Sequence, residues 1–141
     1  MNFNALHQQN QPLLLANVWD ASSAQAAQQA GYQALGSSSA AIAAMLGYED
    51  GEEMSFDELL YIVSRIKAVS ELPLSVDLEA GYSATTSHII DNIQRLAHLG
   101  VSGINLEDSH VVDGTRRLDD AERFAVKLQE ITRACPGLFV N

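Results

Sequence analysis

Short apolar runs typical of β-strands alternate along the sequence with longer runs of helical periodicity, and this alternation restricts the possible folds more than any other feature. The strand-like runs are residues 13–18, 32–36, 74–78 and 101–106, and residues 138–141 begin a fifth. Strands that alternate with helices are typical of parallel βαβ units. The sequence therefore predicts an α/β fold, either a doubly wound sheet or a parallel β/α barrel.

Helix-capping residues and apolar stripes mark the helices between these strands. Asp20 is placed to cap a helix that ends at Gly31, and Ser55 with Glu58 forms a capping box for a later helix. Residues 108–117 are predicted to be a polar loop that leads into the last helix. The predicted inward face of that last helix comprises Leu118, Ala121, Phe124, Ala125, Leu128 and Ile131.

The turn after the first strand distinguishes between the two folds. Residues 17–21 contain no glycine, whereas a dinucleotide-binding turn needs glycines so that the backbone can approach a pyrophosphate. A β/α barrel takes about 250 residues for eight strand–helix units, and this chain has 141, enough for four units and the start of strand 5. We therefore expect residues 1–141 to form the N-terminal half of a single β/α barrel domain of the TIM-barrel type, truncated at strand 5.

The composition excludes several classes of function. With 8 Lys and Arg against 18 Asp and Glu, the formal net charge is −10, which disfavours binding to nucleic acid. No apolar run reaches the roughly 18 residues of a membrane-spanning helix, so no membrane partner is expected. The first ten residues lack the basic and apolar regions of a secretory signal. Cys135 is the single cysteine, which excludes an internal disulfide and favours a reducing, cytoplasmic location.

Acidic residues lie at the predicted carboxyl ends of strands three and four. In the run VDLEAGY, residues two apart in a strand share a face, so Asp77 and Glu79 are expected on one side. Glu107 ends the fourth strand, and Asp108 takes its place if the register shifts by one residue. Converging carboxylates repel unless a cation lies between them, and hard oxygen ligands suit Mg²⁺ or Mn²⁺. The alternative is a solvated strand end or a helix cap.

Two further segments are candidates for the same rim. Ser37 and Ser38 precede a helix, where backbone amides and hydroxyls bind carboxylate or phosphate; an ordinary N-cap serine is the alternative. Asp50, in a polar loop, is either a site residue or a turn residue. His110 is either an acid/base or a solvated loop residue, and Cys135 is expected to be a buried structural thiol.

Five segments together carry a resemblance to a known family. They are NVWDA at residues 17–21, GSSS at 36–39, LGYED at 46–50, VDLEAGY at 76–82 and GINLED at 103–108. In this order, the chain resembles the isocitrate lyase/phosphoenolpyruvate mutase superfamily over nearly its whole length. The resemblance implies a β/α barrel that binds Mg²⁺ and a small 2-oxo acid or related carboxylate. It also implies C–C or P–C bond chemistry through an enolate-like intermediate, and assembly as a homo-oligomer.

The resemblance also implies roles for individual residues. Asp77 matches the acid that contacts Mg²⁺ directly, and Glu79 and Glu107 match acids that hold the water molecules of the metal. Asp50 matches a catalytic acid of the flexible loop near the metal. Ser37 and Ser38 match the segment that binds the substrate carboxylate.

Two departures restrict what the resemblance implies. Isocitrate and methylisocitrate lyases carry a Lys-Lys-Cys-Gly-His loop after the fourth strand, whereas residues 109–117 here contain neither Lys nor Cys. The usual acid/base of those lyases is therefore missing, and so is the Lys of the phosphonomutase loop. For this reason decarboxylation or retro-aldol cleavage is expected rather than mutase chemistry. The family also continues beyond the position of Asn141 into a segment whose Arg contacts substrate. We expect a lyase-like enzyme for the complete protein; the alternative is an inactive half-barrel that binds a carboxylate or only assembles with a partner.

Overall fold

The computed structural model describes residues 3–141 as a parallel sheet with helices and a separate hairpin. Its elements, in chain order, are α1 (Phe3–His7), β1 (Leu15–Val18), α2 (Ala21–Gln29), β2 (Ala34–Ser37), α3 (Ser39–Leu46), α4 (Phe56–Val69), β3 (Leu74–Asp77), α5 (Thr86–His98), β4 (Gly103–Asn105), β5 (Ser109–Val112), β6 (Thr115–Leu118), α6 (Ala121–Ala134) and β7 (Phe139–Val140). Among these residues, no helix has both the length and the apolar composition that a membrane span requires.

Five strands lie side by side in the order β1, β2, β3, β4, β7, and every pair is parallel. In the centre of the sheet, Ser75 of β3 pairs with Gly36 of β2 on one side and with Gly103 of β4 on the other. The helices pack against one another in chain order, α2 on α4, α4 on α5 and α5 on α6. A sequential parallel sheet with such a helix layer is the arrangement of one half of a β/α barrel. The predicted parallel α/β architecture is confirmed.

The core lies between the sheet and the helix layer. Alternate residues of β1 point into it, since Ala16 and Val18 are buried whereas Leu15 and Asn17 are exposed. Helices α4 and α5 contribute the apolar stripes expected from the sequence, and the buried members are Leu59, Ile62, Val63, Ile66, Ile89, Ile93 and Leu96. The face that carries Leu15 corresponds to the interior of a complete barrel. Part of this face is covered by α1, whose buried Phe3 and Leu6 pack with Ala34 of β2, whereas Leu15 stays exposed.

The predicted helix caps are confirmed. Asp20 precedes α2, and its carboxylate accepts a 2.7 Å hydrogen bond from the Ser23 amide. Ser55 and Glu58 form the capping box at the start of α4. Because these caps satisfy amides that lack partners within the helix, they fix where each helix begins relative to the strand or loop before it.

The segment predicted to be a polar loop is a β-hairpin, so that prediction is wrong. β5 and β6 pair antiparallel, with Val111 opposite Arg116. Asp113 and Gly114 form the two-residue turn, with φ of 50° and 70°. Positive φ at both turn residues matches the twist of a tight hairpin, and Asp-Gly is a strong sequence signal for it. The signal was present in the sequence.

The hairpin also changes the start of the last helix. Leu118 ends β6 and is 77% exposed, so its predicted place on the inward helix face is wrong. Among the other predicted inward residues, Ile131 is buried, and Phe124 and Leu128 are half-buried. Ala121 and Ala125 are exposed. Burial is incomplete because α6 is the last helix of the layer and packs on α5 alone among its neighbours in that layer. Cys135 caps α6 and is half-buried, and burial raises the pKa of its thiol.

Both margins of the sheet are open. Within residues 3–141, β1 and β7 each pair on one side only. A cleft of about 820 Å³ lies beside β1 and α2 and is lined in part by Leu15, Asn17 and Trp19. Unpaired strand edges and uncovered apolar side chains favour association with another chain segment.

We expect the isolated 141-residue chain to form a dimer or larger assembly, or otherwise to be a loosely packed monomer. A half-barrel buries less apolar surface per residue than a complete one, whereas the entropy cost of ordering each residue is unchanged. Size-exclusion chromatography with light scattering measures the assembly, and near-UV circular dichroism measures the packing. A well-packed monomer with a cooperative melt would contradict this expectation.

Candidate functional site

The three acids predicted to bind a metal lie together at the carboxyl ends of the central strands; they are Asp77, Glu79 and Glu107. β3 ends at Asp77, whose amide donates a 2.9 Å hydrogen bond to Ser37 Oγ at the end of β2. Beyond the strands, the Glu107 amide donates a 2.7 Å hydrogen bond to the Glu79 carbonyl oxygen. The Ser37 bond ties the ends of β2 and β3 together, and the backbone bond from Glu107 extends the pairing of β3 and β4 beyond the strands. The three acidic residues therefore lie at the same rim. Asp108, the alternative to Glu107, is exposed.

Ser39, which the sequence analysis did not single out, orients the Asp77 carboxylate. Its hydroxyl and its backbone amide donate to Asp77 Oδ2 at 2.7 and 3.1 Å. Ser39 is the buried first residue of α3, so this amide is one of the donors that a helix start leaves without a partner in the helix. Ser39 Oγ also lies 3.5 Å from Asp50 Oδ1, which joins the loop before α4 to the rim. The signal in the sequence was the third serine of the GSSS run.

Ser37 and Ser38 make different contacts. Ser38 is the N-cap of α3, since its hydroxyl accepts a 3.3 Å hydrogen bond from the Ala41 amide, and its own amide donates to the Val18 carbonyl oxygen at 3.1 Å. The N-cap alternative thus holds for Ser38. Ser37 is buried, and its hydroxyl accepts from the Asp77 amide. Both hydroxyls are acceptors in these bonds, so each keeps a hydrogen to donate to an anion.

A left-handed turn, rather than strand alternation, positions Glu79. β3 ends two residues earlier, and Glu79 and Tyr82 have φ of 52° and 59°. The expectation that Glu79 continues the strand is therefore wrong. Gly81 has φ of 109°, and a Cβ there would lie 2.8 Å from the Ile89 side chain, so the turn requires glycine. Through this close approach the turn packs against α5.

Glu79 is a buried carboxylate with other acids nearby. It is 4% exposed, and the Tyr82 hydroxyl donates a 2.9 Å hydrogen bond to its Oε1. Burial is the main reason that the pKa of Glu79 rises to about 7; the Tyr82 hydrogen bond lowers this pKa, and the charges of Asp50, Glu52 and Asp77 raise it. The four carboxylates therefore repel one another at the rim.

Glu52, also missed from the sequence, ties the loop before α4 to this turn. Its Oε1 accepts a 2.8 Å hydrogen bond from the Tyr82 amide. Burial raises the pKa of Glu52, and backbone amides of residues 80–82 lower it. Glu52 itself has φ of 66°, a conformation that the sequence did not indicate for a glutamate.

Arg116, on β6, adds a positive charge to the rim. Its Nη1 donates to a Glu107 carboxylate oxygen and, at 3.0 Å, to Ser109 Oγ. Its Nη2 lies 3.8 Å from Asp50 Oδ2. Arg116 was not predicted to be a site residue, because its segment was expected to be a polar loop that lacks the Lys and Cys of the lyases.

His110 lies on the other face of the hairpin. It pairs across the strands with Arg117, and residues one apart along a strand, such as Arg117 and Arg116, point to opposite faces. His110 Nδ1 lies 2.8 Å from Asp119 Oδ1, and Lys127 Nζ lies 3.3 Å from the other oxygen. This geometry favours a hydrogen bond between His110 and Asp119 at the base of the hairpin over an acid/base role at the rim.

The donor chemistry of the rim fits a hard divalent cation. The donors are the carboxylate oxygens of Asp50, Asp77, Glu79 and Glu107. Within residues 3–141, no three acidic, histidine or cysteine side chains already converge on one point where an ion would be held. Mg²⁺ usually keeps several water molecules and binds one or two carboxylates directly. The residues therefore fit Mg²⁺ bound by one carboxylate, with the others reaching it through water.

Comparison with known families identifies the chain. The family model for phosphoenolpyruvate phosphomutase matches residues 3–141, which include every residue of the rim. The chain belongs to the phosphoenolpyruvate phosphomutase family. The resemblance inferred from the sequence motifs is thereby confirmed.

Curated relatives of this phosphomutase-family chain include a lyase. The 2-methylisocitrate lyase of Escherichia coli (strain K12) is 32% identical over 107 residues, covering 75% of this chain and 36% of the lyase. An uncharacterized protein of Mycobacterium tuberculosis (strain H37Rv) is 33% identical over 141 residues, covering 100% of this chain and 52% of that protein. The chain thus spans about half the length, or less, of these relatives.

Solved structures of the family share the fold. A phosphonomutase candidate from Burkholderia cenocepacia superposes with a TM-score of 0.91 at 36% identity, covering 99% of this chain and 57% of that chain. A phosphonopyruvate hydrolase, solved with oxalate and Mg²⁺, superposes with a TM-score of 0.79 at 23% identity, covering 87% of this chain and 44% of the hydrolase. The second likeness concerns the fold alone. The predicted fold class, half of a β/α barrel, is confirmed.

Proposed function

We propose that the chain is the N-terminal half of a Mg²⁺- or Mn²⁺-dependent lyase-like enzyme that acts on a small 2-oxo or 2-hydroxy carboxylate. The reaction would be decarboxylation or C–C cleavage through an enolate-like intermediate. The observation that carries the proposal is a buried carboxylate at the rim: Glu79 is 4% exposed and lies near Asp50, Glu52 and Asp77. Burial, together with these three charges, raises the pKa of Glu79 to about 7. A cation relieves such repulsion, and this rim is where β/α barrels bind ligands.

Asp77 would bind the cation directly, and Glu79 and Glu107 would hold its water molecules. Asp77 suits the first role because both Ser39 bonds go to Oδ2, which orients the carboxylate as a second ligand shell does in metal sites. Bound Mg²⁺ would supply positive charge where negative charge develops on an enolate oxygen.

Ser37 and Ser38 would bind the substrate carboxylate, and Asp50 would be the catalytic acid of the loop. The two serine hydroxyls lie at the start of α3, where the positive end of the helix dipole favours an anion. Asp50 lies 3.5 Å from Ser39 Oγ, so the loop keeps it next to the residue that orients Asp77. Water-excluding groups for the opposite side of the substrate would come from a second half of the barrel.

A non-catalytic half-barrel that binds a carboxylate or assembles with a partner is the second candidate. Arg116 favours it, because this guanidinium pairs with Glu107 and compensates the acids without a metal. The open margins at β1 and β7 support assembly with a second half, supplied by a further segment, another chain or a second copy. A second copy would make the protein a homo-oligomer. The free thiol of Cys135 supports a cytoplasmic location.

We expect a complete barrel built from this chain to decarboxylate oxaloacetate or a related 2-oxo acid, but not to cleave isocitrate or 2-methylisocitrate. Such a barrel can be made by fusing residues 1–141 to the second half of the Burkholderia relative. The expectation rests on the hairpin, since residues 109–117 contain neither Lys nor Cys and His110 lies on the face away from Arg116. Coupled assays with Mg²⁺ measure the release of pyruvate and glyoxylate.

The matched control is the same fusion with Asp77→Ala, which corrects for decarboxylation by free Mg²⁺. Equal rates in the fusion and its Asp77→Ala variant would favour the non-catalytic alternative. Glyoxylate release from isocitrate would show that the hairpin supplies an acid/base that the residues do not indicate.

A further inference from the structure

The hairpin brings one side chain with a permanent positive charge to the rim. Arg116 shares a hairpin face with Ser109 and Val111, and from that face it reaches Glu107 and Asp50. A guanidinium stays protonated in proteins, so this charge does not depend on pH. The rim therefore already holds a cation that belongs to the chain.

Close packing holds the hairpin in this position. Gly51 follows Asp50, and a Cβ at Gly51 would lie 2.7 Å from Val111 Cγ2. Gly51 also has φ of 116°, which side chains disfavour. Both the lack of room for a Cβ and the backbone conformation therefore require glycine at this position. The contact joins the loop that carries Asp50 to the hairpin face that carries Arg116.

The same oxygens are needed by the guanidinium and by a divalent cation. A Glu107 carboxylate oxygen accepts a hydrogen bond from Arg116 here, and the proposed function has Glu107 hold the water molecules of the metal. A second positive charge within a few ångströms of Mg²⁺ or Mn²⁺ is repelled by it, most strongly where water is partly excluded. The two cations therefore compete for the acids of the rim.

We propose that Arg116 is an intramolecular competitor of the divalent cation for Glu107 and Asp50. When no metal is bound, the guanidinium neutralises these acids and the hairpin stays on the loop. Metal binding requires Arg116 to release them, so metal occupancy and the Arg116 contacts exclude each other. This inference rests on the proposed function, because it takes the rim to be the metal site.

Arg117 offers a matched control for Arg116. It is the next residue of β6, it is exposed, and it points to the opposite face of the hairpin. Substituting either arginine by glutamine changes the net charge equally. A difference between the two variants therefore reports the contacts of Arg116 rather than the general charge of the chain.

The test is Mn²⁺ binding, measured by the electron paramagnetic resonance signal of free Mn²⁺ in titrations of the chain. We expect Arg116→Gln to bind Mn²⁺ about tenfold more tightly than the wild type, because the acids lose a charge-assisted partner. Arg117→Gln should stay within about twofold of the wild type, as for an exposed charge that contacts no ligand. Arg116→Lys should return the affinity toward the wild-type value.

Each other outcome overturns the inference. Equal Mn²⁺ affinities of Arg116→Gln and Arg117→Gln would show that Arg116 does not compete with the metal, and would leave the proposed metal site uncontradicted. Weaker binding by Arg116→Gln would make Arg116 a support of the metal site. Absence of Mn²⁺ binding in the wild type and all variants would contradict both the competition and the proposed metal site.

A second measurement uses the wild-type chain and so does not depend on the folding of a variant. Trypsin cleaves after Arg116 and Arg117, and after Arg133 in α6 as an internal reference. If Mn²⁺ releases Arg116, cleavage at the hairpin should accelerate severalfold relative to cleavage at Arg133. Unchanged or slower hairpin cleavage with Mn²⁺ would contradict the competition.

Discussion

The Asp77→Ala variant should lose divalent-metal binding, with the association constant falling at least about a hundredfold. Asp77 ends the central strand β3, between the carboxyl ends of β2 and β4. Ser39 holds one of its oxygens with two hydrogen bonds, which presents the other oxygen in a fixed direction. Alanine removes the direct ligand, and the more distant carboxylates cannot replace it without moving the backbone turn that carries Glu79.

Isothermal titration with Mn²⁺ measures this loss, and two further variants make it specific. Asp108→Ala removes an exposed acid one residue from Glu107 and should leave the affinity unchanged. Ser39→Ala should give an intermediate loss of about tenfold, since it only frees the Asp77 carboxylate to rotate. Equal affinity in the wild type and Asp77→Ala would show that Asp77 is not the ligand.

The Glu79→Gln variant should be more stable than the wild type at pH 8, by on the order of 2–3 kcal/mol, and nearly equal to it at pH 4.5. The folded-state pKa of Glu79 is raised to about 7, mainly by burial, from the ordinary glutamate value of 4.5. Between these values the folded protein binds more protons than the unfolded chain, so the free energy of unfolding falls as the pH rises. Glutamine does not ionise, yet its amide oxygen still accepts the hydrogen bond from the Tyr82 hydroxyl.

Urea denaturation at pH 4.5 and pH 8 gives the free energies of unfolding for both proteins. Glu130→Gln, an exposed change of the same type on α6, controls for the loss of one negative charge. Saturating Mg²⁺ at pH 8 should raise the stability of the wild type more than that of Glu79→Gln, because a cation stabilises the ionised Glu79. A stability difference that does not change with pH would contradict the burial of an ionisable Glu79.

The strand–helix order and the acids of the rim could be predicted because their signals are local. Apolar periodicity sets the strands and helices, and Asp20 and Ser55 cap helices through residues three positions away. The carboxyl end of each strand then places Asp77 and Glu107 at one rim whatever the details of the turns.

The remaining features depend on the backbone path or on distant contacts. Glu79 is positioned by a left-handed turn that seats Gly81 on α5, and strand alternation cannot reveal this. Ser39 orients Asp77 across 38 residues of sequence. Arg116 reaches Glu107 only because its segment is a hairpin, which the Asp-Gly pair at residues 113–114 indicates and the polar composition of the segment does not.

The most direct test of the account is a crystal structure of the chain with Mn²⁺ and oxalate, read from the anomalous scattering of manganese. We expect one strong anomalous peak in contact with an Asp77 carboxylate oxygen, with Glu79 and Glu107 reaching the metal through water. Oxalate should lie between this peak and the hydroxyls of Ser37 and Ser38. An anomalous peak away from Asp77, or none while oxalate and Mn²⁺ are saturating, would contradict the assignment of this rim as a metal-dependent carboxylate site.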